Sequence, residues 1–172
     1  MTDADNFTTT FTYNEFSKPL TVTNAYPATV SLRYDLRGNL VEAVDPAGNV
    51  TTQTLDANGR LLQSTDAFGR MVAYEYATAQ NLPTRTIYSD GTATLNEYNG
   101  FGEVLSQTDP LGNRENFVYD DAGKLLQMQD ANGRWTYFGY DNRDRLLSVT
   151  DPNNNVTSYQ YDDVNRKTAE IT

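Results

Sequence analysis

Tyr119-Asp-Asp-Ala-Gly-Lys-Leu-Leu-Gln-Met-Gln-Asp-Ala-Asn-Gly-Arg-Trp-Thr-Tyr-Phe-Gly139 is followed at once by Tyr140-Asp-Asn-Arg-Asp-Arg-Leu-Leu-Ser-Val-Thr-Asp-Pro-Asn-Asn-Asn-Val-Thr-Ser-Tyr-Gln160. Each stretch is 21 residues long, and each begins Tyr-Asp. An internal repeat of this length is the first thing to settle, because it decides the architecture. Working outward, units begin at Tyr13, Tyr34, Leu55, Tyr76, Tyr98, Tyr119, Tyr140 and Tyr161. The spacing is 21 residues throughout, apart from 22 between Tyr76 and Tyr98. Residues 1–12 form a lead-in and residues 13–172 the repeat array. The unit at Tyr13 keeps its length but has lost both glycines. The long unit carries its extra residue between Leu82 and Gly91, near Pro83, which predicts a bulge or a widened turn.

Every unit holds two turn signals. One follows the marker, as in Asp35-Leu36-Arg37-Gly38 and Asp120-Asp121-Ala122-Gly123. The other lies about ten residues on, as in Asp45-Pro46-Ala47-Gly48 and Asp109-Pro110-Leu111-Gly112. Asp at the first position accepts backbone N–H groups, Pro at the second presets φ, and Gly at the fourth tolerates φ > 0. Where that glycine is lost, Asp144, Asn154 and Asn165 replace it, and these types best tolerate the left-handed region. Ser17 and Gln80 fit neither preference.

Between turns run segments of about six residues with period 2. Alternate positions give Val72/Tyr74/Tyr76, Glu115/Phe117/Tyr119, Thr136/Phe138/Tyr140 and Thr157/Tyr159/Tyr161, so one face is much more aromatic than the other. The other segment of each unit is led by an apolar pair such as Leu125-Leu126. No stretch sustains helical spacing. The expected fold is all-β: an array of antiparallel β-hairpins, about 14 to 15 short strands, forming a curved, twisted β-ribbon. Thr172 falls where the next turn aspartate belongs, and neither end has a cap, so the array is expected to be truncated at both ends and to belong to a longer one.

Composition narrows function. The 172 residues carry a net charge of −10 and a pI near 4.3, which argues against nucleic acid as a partner. Cys and His are both absent, so thiolate sites, disulfides and triads built on either residue are impossible. Met1 to Asn6 is acidic and polar, unlike a signal peptide. No apolar run approaches the ~18 residues of a membrane span.

The pattern Tyr-Asp-x-x-Gly-(Arg/Lys/Asn)-Leu…Asp-Pro-x-Gly-Asn resembles the YD repeat of bacterial RHS proteins. Tyr34-Asp35-Leu36-Arg37-Gly38-Asn39-Leu40…Asp45-Pro46-Ala47-Gly48-Asn49 is the fullest copy, and the resemblance spans residues 13–172. The family includes bacterial polymorphic toxins and is related to shell components of insecticidal toxin complexes and to teneurins. The resemblance implies part of a spiral shell that encloses a variable C-terminal toxin or effector until delivery. It further implies secretion or surface display within a larger bacterial protein. The implied partners are the rest of that polypeptide and its enclosed C-terminal domain. Asp109-Pro110-Leu111-Gly112-Asn113 starts like the family's core-terminal cleavage motif but has Asn113 in place of leucine, so self-cleavage is not carried over.

Candidate chemistry is thin. Asp120-Asp121 and Asp162-Asp163 are carboxylate pairs, but on turns they are expected to be solvated and to keep ordinary pKa values. Each turn offers too few oxygens for Ca²⁺. The glycines recur with the repeat and open no helix, so they form no phosphate loop. The aromatic stripe remains: a cross-strand ladder, an inner contact wall, or a carbohydrate platform using Tyr74, Phe117 and Tyr159. Lone Trp135 is read as a packing residue. No catalytic, cofactor-binding or metal-binding residue is expected, and the segment is read as non-catalytic.

Overall fold

The computed structural model describes residues 8–26, 28–77 and 81–172. Every regular element among them is a β-strand. The chain divides into two compact units, Met1–Thr92 and Ala93–Thr172. The first holds β1 (Thr10–Tyr13), β2 (Pro19–Thr23), β3 (Thr29–Tyr34), β4 (Leu40–Val44), β5 (Val50–Leu55), β6 (Leu61–Thr65), β7 (Met71–Glu75) and β8 (Arg85–Tyr88). The second holds β9 (Ala93–Tyr98), β10 (Val104–Thr108), β11 (Arg114–Tyr119), β12 (Leu125–Gln129), β13 (Trp135–Tyr140), β14 (Leu146–Thr150), β15 (Val156–Tyr161) and β16 (Lys167–Ile171). Within each unit the strands follow chain order and each is antiparallel to the next. The all-β hairpin array read from the period is therefore present. Among the described residues there are sixteen strands rather than about 14 to 15 because the lead-in contributes: Thr10, Phe11 and Thr12 pair with Thr23, Val22 and Thr21 of β2.

The turns explain why this sequence folds this way. At Asp120 the backbone N–H donates to the Lys124 carbonyl at 2.9 Å, and the Gly123 N–H returns to the Asp120 carbonyl at 3.0 Å. Oδ1 of Asp120 then accepts the N–H groups of Ala122 and Lys124, both at 2.9 Å. Gly123 closes the turn at φ 83°, the left-handed conformation that ends such a hairpin loop. Asp144, Asn154 and Asn165 take the same place at φ 62°, 65° and 67°. Ser17 does too, at φ 57°, with Asn14 standing in for the aspartate. A Gly123→Val variant is expected to lose about 1–2 kcal/mol: φ is unfavourable for a β-branched residue, and the new Cβ strikes the Glu103 carboxylate. An unchanged urea midpoint would contradict the turn assignment.

The long repeat departs where Pro83 suggested. In regular units the hairpin pairs Arg33 with Glu42, Thr54 with Gln63 and Val118 with Gln127. In the long unit Glu75 pairs with Arg85, so the extra residue sits in a widened first turn. Gln80 lies outside the described residues. One consequence is a shifted second turn, in which Tyr88 occupies the aspartate's place and Gly91 N–H donates to its carbonyl at 2.9 Å.

Directly opposed residues share a face of a sheet. In the second unit Phe117, Met128 and Thr136 lie on one face with Phe138, Val149 and Thr157. Gln127, Tyr137 and Thr150 lie on the other. The predicted aromatic asymmetry is real. No apolar side chain among the described residues is buried, and strands touch only their chain neighbours. Stability must therefore come from each hairpin's ties to the next, the energetics of a repeat array.

Candidate functional site

The ladders that join one hairpin to the next are short. β12 and β13 pair only at Gln127–Tyr137, Met128–Thr136 and Gln129–Trp135. Beyond Gln127 the carbonyl of Leu125 needs a donor, since an unpaired backbone acceptor away from water is costly. Tyr140, the next repeat's marker, supplies it: its phenol O–H donates to Leu125 O at 2.9 Å. Tyr161 does the same for Leu146 at 2.9 Å and Tyr76 for Leu61 at 2.8 Å. Above each ring lies the basic residue five positions after the preceding marker. Lys124 Nζ is 5.9 Å from the Tyr140 ring centre, and the guanidinium carbons of Arg145 and Arg60 are 4.8 and 4.5 Å from those of Tyr161 and Tyr76. These are cation–π distances.

The cations are anchored in turn. Arg145 pairs with Asp141 at 2.7 Å, Arg60 with Asp56 at 2.6 Å and Lys124 with Asp120 at 3.4 Å. Lys124 also reaches Asp144 of the next turn at 2.5 Å, and Arg145 reaches Asn165 Oδ1 at 3.1 Å. The residues that replace the turn glycine thus add a contact that glycine cannot make. Where the marker is Leu55, Gln53 Nε2 donates to Leu40 O instead. At the Tyr76, Tyr140 and Tyr161 boundaries the tie is a clasp of carboxylate, cation, ring and carbonyl. The sequence reading placed the marker tyrosines in an aromatic ladder; in the structure a cation and a carbonyl engage them. The signal was visible in Lys18, Arg60, Lys124 and Arg145, each five residues after a unit start.

The aspartates that open these turns do not keep ordinary pKa values. Asp120 and Asp162 are both held below the usual carboxylate range, first by the backbone N–H of Lys124 and of Arg166, with the side chains of those residues assisting. Asp35, Asp45, Asp109 and Asp151 are lowered chiefly by the side-chain amide of the asparagine four residues on. A carboxylate so satisfied is a poor general base, because every donor it holds favours the charged form.

Among the described residues the buried side chain is that of Ser106, at 2 % exposure. Its hydroxyl donates to Glu97 Oε2 at 2.8 Å, and Arg114 holds the same oxygen at 2.7 Å. The network continues through Asn116 to Gln129. Both Ser106 and Arg114 hold Glu97 below its ordinary pKa, which disarms it as a base for the serine. The surface depressions are shallow, such as one of about 310 Å³ lined by Leu40, Ala43, Thr51, Gln53 and Ser64. No group of three or more metal-ligating side chains occurs among the described residues, and no helix there is long and apolar enough to cross a membrane.

A 21-residue hairpin period with these boundaries can be set beside known proteins. The family model for the RHS repeat matches residues 34–71, 56–93, 98–134 and 140–172. The chain belongs to the RHS repeat family. Over 113 residues it is 28% identical to the double-stranded DNA deaminase toxin A of Burkholderia cenocepacia (strain H111), covering 66% of this chain and 8% of the relative. Among solved structures, TcdB2-TccC3 without its hypervariable C-terminal region superposes with a TM-score of 0.75 at 16% identity, over 94% of this chain and 10% of that one. TcdB2-TccC3-TEV gives a TM-score of 0.57 at 17% identity, over 94% and 11%. The RHS segment described here thus spans about a tenth of the length of these larger proteins. The shared fold is a string of hairpins in chain order.

Proposed function

We propose that this RHS segment is a length of wall in a shell that encloses a C-terminal toxin or effector polypeptide until delivery. Its work is steric, and it carries no reaction. The observation that carries this reading is the clasp. Chemistry-bearing side chains recur at the Tyr76, Tyr140 and Tyr161 boundaries and are consumed there in holding one hairpin to the next, as at Asp141, Arg145 and Tyr161. A wall needs a uniform, extendable tie between units, and that is what the repeat supplies. The similarity to TcdB2-TccC3 and to a deaminase toxin supports the same reading. Residues 13–172 are then one uninterrupted array, and the parent protein is secreted or displayed at a bacterial surface.

The carbohydrate reading gains little. Cations already occupy a face of Tyr76, Tyr140 and Tyr161, and Lys167 lies 5.3 Å from the Tyr159 ring. Imaging of the full-length polypeptide by electron cryomicroscopy tests the proposal. A closed wall with density inside, and a C-terminal segment resistant to added protease, is the expected result. An open or solid array with a freely digested C-terminal segment would remove the shell reading.

A further inference from the structure

Within the second unit one boundary lacks the clasp that holds Tyr140 and Tyr161. At the step from Tyr98 to Tyr119 the aspartate is Asn99 and the cation is Glu103. Asn99 Nδ2 donates to Glu103 Oε2 at 2.5 Å, so a neutral amide and a carboxylate stand where the other boundaries of this unit have a carboxylate and a cation. The effect falls on Tyr119. Its ring has a carboxylate nearby where Tyr140 and Tyr161 have a cation, and burial together with Glu103 raises its phenol pKa. Its hydroxyl takes no hydrogen-bond partner among the described residues, and the carbonyl of Val104 goes without the phenol that seals Leu61, Leu125 and Leu146. The ladder here is as short as elsewhere: β10 and β11 pair only at Ser106–Asn116, Gln107–Glu115 and Thr108–Arg114.

The opposite face carries a replacement. Glu97 on β9 and Arg114 on β11 form an ion pair at 2.7 Å across the intervening β10, covering Ser106. The corresponding positions on the two following repeats hold other residues: Val118 and Gly139 for Glu97, Trp135 and Val156 for Arg114. Both charged side chains are about half exposed, Arg114 at 48% and Glu97 at 61%. Salt screens pairs of this kind, whereas a phenol–carbonyl hydrogen bond is little affected by it.

We propose that β9–β11 is the salt-sensitive joint of the second unit: the Glu97–Arg114 pair holds it in place of the tyrosine clasp, and it opens before the boundaries at Tyr140 and Tyr161. The joint is a local opening of low stability inside an otherwise uniform array. It follows from charges and contacts in this chain alone and holds whatever the array encloses.

Amide hydrogen exchange on the 172-residue chain tests it, comparing about 0.02 M with about 0.5 M NaCl. The amides of β10 and β11 should exchange roughly fivefold faster at high salt, while those of β13 to β15 keep their rates. Arg114→Ala should bring the same acceleration at low salt. The double variant Asn99→Asp/Glu103→Arg rebuilds the usual clasp. It should slow exchange in β10 and β11 at both salt concentrations. An equal salt response in both regions, or a rebuilt variant that exchanges like the parent, overturns the proposal.

Discussion

Tyr140→Ala should lower the stability of the second unit by about 2–3 kcal/mol, and Tyr140→Phe by about 1 kcal/mol. Three contributions build the first figure. The hydroxyl gives up a neutral hydrogen bond to Leu125 O, worth about 1 kcal/mol net. A half-buried ring leaves the sheet, which loses roughly half of the 1.5–3 kcal/mol of a fully buried aromatic. Lys124 loses its place over the ring, worth about 0.5–1 kcal/mol where partly exposed. Tyr119→Phe provides the contrast, since its hydroxyl has no partner to lose among the described residues, and its midpoint should stay within about 0.3 kcal/mol of the parent's. Urea titrations of the three variants check this. If Tyr140→Phe and Tyr119→Phe behave alike, the phenol–carbonyl clasp contributes nothing and the period must be explained by the turns alone.

Much of this could be read from the sequence because the local rules agree with one another. Asp at the first turn position, Gly or Asn at the fourth and period 2 between them all specify the same hairpin. The left-handed conformations at Asp144, Asn154 and Asn165 follow from that pattern. The tyrosine's role was harder to see. Its partner is the carbonyl of Leu125, 15 residues earlier, and backbone carbonyls leave no trace in residue types. The cation above it does leave a trace, at a fixed offset from each marker, but only the geometry shows that it faces the following repeat rather than water. The absence of buried apolar side chains was equally hidden, since alternating strands look the same whether or not a second layer covers them.

Acid should unfold the chain sharply, while pH changes above the carboxylate range leave it almost untouched. With neither His nor Cys in the sequence, no side chain titrates near neutrality, so a plateau is expected from about pH 5 to about pH 9. Below it the turn aspartates dominate. Asp56, Asp130 and Asp141 are lowered first by the backbone N–H four residues on and then by the arginine there, with burial opposing. Asp35, Asp45, Asp109 and Asp151 are lowered by their asparagine partners. A carboxyl whose pKa is lower folded than unfolded contributes stability above its unfolded value, about 3.9 for Asp. That contribution is lost as pH falls through the folded value. Because the same shift recurs in turn after turn, the losses fall in one window below about pH 4 and add together. Net charge works the other way at first. The chain carries −10 at neutrality and has a pI near 4.3, so mild acid relieves repulsion before the turns are lost. Urea midpoints at about 0.1 M salt, where distant charges are screened, should therefore hold level or rise slightly toward about pH 4.5 and then fall steeply. A midpoint that stays level down to about pH 2 would mean that these carboxylates bind protons equally in both states, and the hydrogen bonds at each Asp would then add nothing to the fold.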